Sequence, residues 1–294
     1  MTSTGDPDTH SGDQQSEPTP RMGQLTTNLD DFSPQRVAER VEEFGLAKSR
    51  SHPLQSFVLG TLAGGFVGLG GLYFTVVTLG GSTWHYLAGG IVFAIGYIIA
   101  ILAGTEVFTS NNLLMMALAS RKVTLVQVLG NWGVVLCANA IGASALSLVF
   151  LASGMPESEG GDIGRHAIQI AADKAALAPL NAFALGVLGN LFVCLAVWVA
   201  LAGRTVTDKI VGTLLPLSAI GALELEHAVS TLYFIPRGLL VQAFFPALAQ
   251  GSPEIPLLGA ATTFLAVTAG NIIGGSLVVA LSYQLVYVRP SRRA

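Results

Sequence analysis

Charge is what this chain has least of. Only 11% of its 294 residues are Asp, Glu, Lys or Arg, under half the share usual in a soluble protein. The net charge of −3 is small and mostly reflects the N-terminal stretch, so no nucleic-acid partner is expected. Cysteine is nearly absent. Cys137 and Cys194 fall in apolar segments with no metal-ligand spacing between them, and read as small packing residues. No metal and no cofactor is expected. The chain has no P-loop, no Rossmann glycine pattern and no HExxH, which argues against an ATP-driven pump, a membrane protease or any other enzyme. A cleavable signal peptide is also missing, because the N-terminus is polar and acidic where such a signal is basic and then apolar.

Hydrophobic residues, by contrast, make up 51% of the chain, and the mean hydropathy is +0.61. Apolar stretches long enough to span a bilayer recur. Residues 1–32 are rich in Ser, Thr, Asp, Gln and Pro and read as a disordered tail. Ser33-Pro34 is a helix start, and Val37, Val41 and Phe44 recur at helical spacing beside Arg36, Arg40 and Lys48. Residues 33–50 therefore read as an amphipathic interfacial helix, an anchor in preference to a gating lid. A channel domain over 51–290 follows, then a short cytoplasmic tail over 291–294.

Six membrane segments are expected: Leu54–Leu79, Tyr86–Ala119, Leu125–Ala152, Leu177–Ala202, Ile210–Leu248 and Leu257–Val288. A span needs roughly 20 residues. The second and fifth are much longer, and each carries a polar interruption: Gly104 to Asn112 (GTEVFTSNN) in one, Glu224 to Thr231 (ELEHAVST) in the other. Both read as broken helices, which transporters and channels use to expose backbone polar groups at mid-membrane. Each half places its broken helix second, and Asn139-Ala-Ile-Gly142 in the third segment echoes Asn271-Ile-Ile-Gly274 in the sixth. The fold class is thus an all-α membrane protein of six transmembrane helices arranged as an inverted repeat. With both termini inside, twelve Lys and Arg residues fall on the inner side, while Arg165, Lys174 and Arg237 lie on or toward the outer side.

Inside the spans the titratable groups are few. Of eighteen carboxylates only Glu106, Glu224 and Glu226 fall there, and of five histidines only His227. An ionisable side chain in hydrocarbon is costly and usually lines a polar pathway. For Glu106 and Glu226 the favoured reading is structural, as acceptors for orphan N–H groups at helix breaks. For His227 it is functional, since an imidazole suits proton exchange. Thr109, Ser110, Asn111 and Asn112 either order a small polar solute or satisfy the freed backbone. Lys174 is a surface lysine or a means of concentrating anions at the outer mouth. Val107 and Phe108 suit a dry constriction and core packing equally.

These residues carry a resemblance. Gly104 to Ser110 (GTEVFTS), Asn190 to Trp198 (NLFVCLAVW), Glu226-His227 with Phe234-Ile-Pro236, and Gly270 to Gly275 (GNIIGG) resemble the formate/nitrite transporter family, and the likeness runs from His52 to about Arg289. It implies an aquaporin-like protomer in a homopentamer of the inner cell membrane, each protomer with its own pore for a small monovalent anion, often moved with a proton. By position it implies that His227 exchanges a proton with the substrate and that Thr109 pairs with that histidine. It further implies that Lys174 attracts anions, that Asn190 lines the outer vestibule and that Val107 and Phe108 form the inner constriction. Three positions depart from the family pattern. Glu224 stands for a small residue, Ile220 for a bulky aromatic at the outer constriction, and Thr231 for an asparagine. An ionised Glu224 beside the pore would attract a cation, so a cation or ammonium pathway using Glu224 and Glu226 is the competing expectation. A non-conducting sensor or scaffold is a third.

Overall fold

Two helices on which the chain depends stop in mid-course and restart. The computed structural model describes residues 32–288. The expected tail over 1–32, apart from Phe32, and the tail over 291–294 lie outside the described residues. Among those described every regular element is helical. Helix α1 spans Pro34–Arg50. Ser33 caps it by accepting the Arg36 N–H, and proline occupies the first turn, where its missing donor costs nothing. Then come α2 (Pro53–Val77) and α3 (Thr83–Leu102). A break follows α3, after which a 3₁₀ turn over Ser110–Leu113 leads into the short α4 (Leu114–Ala119). Helices α5 (Leu125–Ala152), α6 (Asp162–Ala175) and α7 (Pro179–Ala202) follow. The second break separates α8 (Val206–Ala222) from α9 (Ala228–Phe244). The short α10 (Pro246–Ala249) precedes α11 (Leu257–Ile272).

Five stretches are long and apolar enough to cross a membrane: Pro53–Gly80, Thr83–Leu102, Leu125–Ala152, Pro179–Ala202 and Leu257–Val288. Helices α8 and α9 fall short because the break divides one expected segment into two pieces of 17 residues. This is a multi-pass membrane protein.

Helices that meet inside a bilayer gain little from burying apolar surface, so they associate through small residues that let backbones approach. That is how α2 meets α5 and α7 meets α11. A Cβ at Gly64 would overlap the Asn139 carbonyl and one at Gly142 the Thr61 carbonyl, while Gly270 and Gly274 press in the same way on Phe183 and Val187. These contacts hold Asn139 and Asn271 against the two breaks.

Three features differ from the sequence reading. The last segment is regular α-helix only to Ile272 and runs on as π-helix over Ile273–Leu281 and Gln284–Val288. Gly274 and Gly275, poor helix formers, are pressed there against Val187 and against the side chains of Asn112 and Asn190. The connection after α5 contains the helix α6, whose Ile163, Ala167, Ile168 and Ala171 are buried. Helix α1 places Val37, Ala38 and Val41 inside the protein, in a cluster with Leu113, Met116 and Val197, so this side of the helix faces protein and not lipid.

Candidate functional site

At the first break α3 ends in a left-handed turn at Gly104 (φ +67°), where glycine carries no steric penalty. The Gly104 N–H donates to the Ile101 carbonyl at 3.2 Å and the Thr105 N–H to the Ala100 carbonyl at 3.0 Å, the double-bonded C-cap that satisfies orphan carbonyls. The freed backbone beyond it is held by Asn139. Its Oδ1 accepts the Phe108 N–H at 2.9 Å, and its Nδ2 donates to the carbonyls of Glu106 (2.8 Å) and Gly60 (2.7 Å). The Glu106 side chain takes a proton-rich partner from α1. Lys48 Nζ donates to Glu106 Oε2 at 2.9 Å and to Asn111 Oδ1 at 2.9 Å. Asn111 Nδ2 donates to the same carboxylate oxygen at 2.6 Å.

The second break repeats most of these contacts. Glu224 adopts the left-handed turn (φ +50°). Its N–H donates to the Gly221 carbonyl at 3.2 Å, and the Leu225 N–H to the Ile220 carbonyl at 2.9 Å. Asn271 Oδ1 accepts the Ala228 N–H at 2.8 Å, while its Nδ2 donates to Gly186 (2.7 Å) and Glu226 (3.2 Å) carbonyls. Lys174 Nζ donates to Glu226 Oε1 at 2.6 Å, and Thr231 Oγ1 to Glu226 Oε2 at 3.3 Å.

Between the breaks lies His227, fully buried, with Thr109 and Tyr97 against its ring. His227 is the N-cap of α9. Its Nδ1 accepts the Ser230 N–H at 3.2 Å, so in the neutral ring the proton resides on Nε2. Nε2 lies 2.6 Å from Thr109 Oγ1 and in close contact with the Tyr97 hydroxyl. The Tyr97 and His227 rings meet edge to face, with centroids 4.9 Å apart.

Two cavities reach residues next to this cluster. The larger, of about 460 Å³, is lined by Phe93, Ile220, Phe234 and the ionisable groups His166, Asp173, Lys174, Glu224 and Glu226. The smaller, of about 100 Å³, is lined by Phe44, Tyr97, Thr105, Val107, Ser110 and Lys209 among others. Phe93 and Tyr97, one turn apart on α3, face different cavities. Tyr97 lines the smaller cavity and its hydroxyl meets His227, while Thr109 and His227 themselves line neither.

Outside the spans, burial pushes the Lys48 amine below the usual lysine range, and the adjacent Glu106 opposes that shift. Burial also lowers the His166 imidazole, and the positive charge of Arg237 adds to the effect. Both act because a charge taken from water needs a partner.

Lys174, Glu224, Glu226 and Ile220 thus share the larger cavity, and Val107 lines the smaller. Thr109 and His227 are in contact. Phe108 is buried against Trp132 and lines neither cavity. Asn190 lines neither as well, because its amide is spent inside the bundle, donating to Asn112 Oδ1 at 3.0 Å and to the Asn271 carbonyl at 2.6 Å. Glu224 and His227 do not share a helical face, since both lie in the non-helical stretch between α8 and α9. Sequence reasoning missed Lys48, which read as one of several basic residues on α1, and Tyr97, which read as an ordinary span residue. The repeat held the signal for Lys48: each break places Glu five residues before an amide or hydroxyl residue, and Lys174 already stood upstream of one of them.

Long apolar helices broken twice around polar side chains, with a cavity on either side, define a membrane channel or transporter. A family model described as formate/nitrite transporter matches residues 35–285. The chain belongs to that family. It is 34% identical over 269 residues to the formate channel FocA of Escherichia coli (strain K12), covering 87% of this chain and 94% of that protein. It is 30% identical over 261 residues to the formate channel FocA of Haemophilus influenzae, covering 84% and 92%. A solved structure titled as a pentameric formate channel with formate bound superposes with a TM-score of 0.75 at 31% identity, covering 80% of this chain and 98% of the other. These relatives are channels, not enzymes.

Proposed function

We propose that this protein is a passive channel for formate or a similar small monovalent anion such as nitrite, with the proton that assists passage exchanged at His227. The observation that carries the reading is the buried imidazole whose Nε2 meets Thr109 and Tyr97. A bare anion in a low-dielectric constriction is strongly disfavoured. The Nε2 N–H at that point lowers the cost as a hydrogen bond, and once the ring has taken up a second proton from water the imidazolium gives one to the carboxylate or nitrite oxygen and returns to its neutral form. Lys174 draws the anion into the larger cavity, Ile220 narrows its inner end, and Val107 dries the opposite side. The matched contacts at Glu106 and Glu226 support two inversely oriented repeats of three spans. Twelve basic residues on one side against three on the other support both termini in the cytoplasm of the inner membrane. The likeness to a pentameric channel supports a homopentamer with one pore in each protomer.

The competing reading is an ammonium or other cation pathway, and one observation favours it: Asp173, Glu224 and Glu226 all line the larger cavity. Uptake into proteoliposomes holding only this protein decides between them, with formate, nitrite and ammonium compared across pH. Formate uptake that rises as pH falls, and that collapses or loses its pH dependence in His227→Ala, is the expected result. His227→Ala at the wild-type rate with the same pH profile would remove the imidazole from the mechanism.

A further inference from the structure

Arg237 on α9 has no exposed surface and, among the described residues, no carboxylate within ion-pair distance. Its Nη1 donates to Thr75 Oγ1 at 2.7 Å and lies 3.5 Å from the Tyr233 hydroxyl, while Nε and Nη2 have no partner. Three rings surround the guanidinium carbon: Tyr233 at 4.9 Å, Phe234 at 5.3 Å and Phe150 at 5.4 Å. Packing alone does not account for it. An apolar side chain of similar volume would fill this place without burying an unpaired charge and two unsatisfied donors.

What lies on the far side of its neighbours does account for it. Phe234 lines the larger cavity, and Lys174 Nζ lies 5.2 Å from the same ring centroid. Thr78, the residue that follows α2 and three beyond Thr75, has its Oγ1 2.9 Å from His166 Nε2, and both line that cavity. The cavity itself is short of positive charge. Lys174 is paired with Glu226, which leaves Asp173 and Glu224 facing any solute that enters.

We propose that Arg237 is a specificity-determining residue, whose buried and uncompensated positive charge behind the Phe234 wall offsets the carboxylates of the larger cavity so that small monovalent anions, and not cations, collect there. The assignment rests on the anion reading given above. A buried charge is screened little by salt. At a separation of about 10 Å and an effective dielectric of about 20, one unit charge changes the local occupancy of a monovalent ion on the order of tenfold.

The test is initial uptake of formate and of methylammonium into proteoliposomes by wild type, R237M and R237K, with the thermal midpoint of each protein in detergent. R237M is expected to lose roughly tenfold in formate uptake at low concentration, mainly through a raised KM, and to gain methylammonium uptake, while its thermal midpoint holds or rises. R237K, which keeps the charge, is expected to keep most of the formate uptake. R237M with formate KM and uptake within twofold of wild type overturns the proposal. So does equal loss in R237M and R237K with a lowered thermal midpoint, which would make Arg237 a packing residue only. If R237M does not fold, R237Q carries the same comparison. Wild-type protein that passes methylammonium and no formate would instead sink the anion reading itself, and with it this assignment.

Discussion

At Gly104 and at Glu224 the chain does the same thing with its backbone and different things with its side chains. Each break opens with a left-handed residue, closes the preceding helix with the same two hydrogen bonds, and is held by an asparagine that accepts one N–H and donates to two carbonyls. Each carries a glutamate two residues on, paired with a lysine from elsewhere. What the two share is therefore what a broken helix in hydrocarbon demands, since every freed polar group needs a partner. What differs is the chemistry. His227 stands where the first break has Val107, Glu224 where it has Gly104, and Thr231 where it has Asn111. The first break borders the smaller cavity, and the second opens onto the larger one, where the carboxylates gather.

The asparagines should matter most and matter alike. Asn139→Ala and Asn271→Ala each leave a buried N–H and a carbonyl without partners, at about 4 kcal/mol in either case. Thermal unfolding of the two variants in detergent checks this. A variant that keeps its wild-type midpoint would show that its break is held by something other than the amide. The lysines should then separate the breaks. Lys48 and Glu106 side chains are 9% and 4% exposed, whereas Lys174 is 14% exposed and borders a cavity of about 460 Å³. Lys48→Met strands a carboxylate in a dry site and should cost about 3 kcal/mol. Lys174→Met leaves Glu226 able to draw water from the cavity and should cost about 1 kcal/mol, while lowering anion uptake more than Lys48→Met does. Equal stability losses would mean that the two pairs are equivalent and that the cavity does not hydrate Glu226.

Much of this was legible in the chain because broken membrane helices leave a compositional mark. GTEVFTSNN and ELEHAVST stand out in apolar runs, and the echo of Asn139 in Asn271 pointed to a repeat before the contacts of either asparagine were known. The partners that reach in from elsewhere were not legible. Lys48 lies 58 residues before Glu106, on a helix whose neighbouring Arg and Lys residues disguise it as one more surface charge. Tyr97 reads as a span residue until α3 and the second break bring its hydroxyl onto His227. Arg237 counted as a charge toward the outer side, because only packing reveals that three rings enclose it. Asn190 shows the converse case. The resemblance implied a place in the outer vestibule, whereas the amide donates to Asn112 and to the Asn271 carbonyl.

The smallest expected effect tests the difference that sequence and structure both single out. Glu224 occupies a left-handed turn (φ +50°) in which a side chain is strained, and its counterpart is a glycine at φ +67°. Glu224→Gly should therefore stabilise the protein by roughly 0.5–1 kcal/mol, after the greater freedom of unfolded glycine is set against the relief of strain. Gly104→Ala should destabilise it by roughly 1 kcal/mol for the same reason in reverse. Strain retained at a cavity wall points to function in the side chain that causes it. On the anion reading, Glu224→Gly removes a repelling charge and formate uptake at neutral pH is kept or increased. On the cation reading, ammonium flux is lost with it. Stabilisation without any change in either flux would leave Glu224 as a strained residue with no part in selectivity, and the two breaks would then differ in function only at His227.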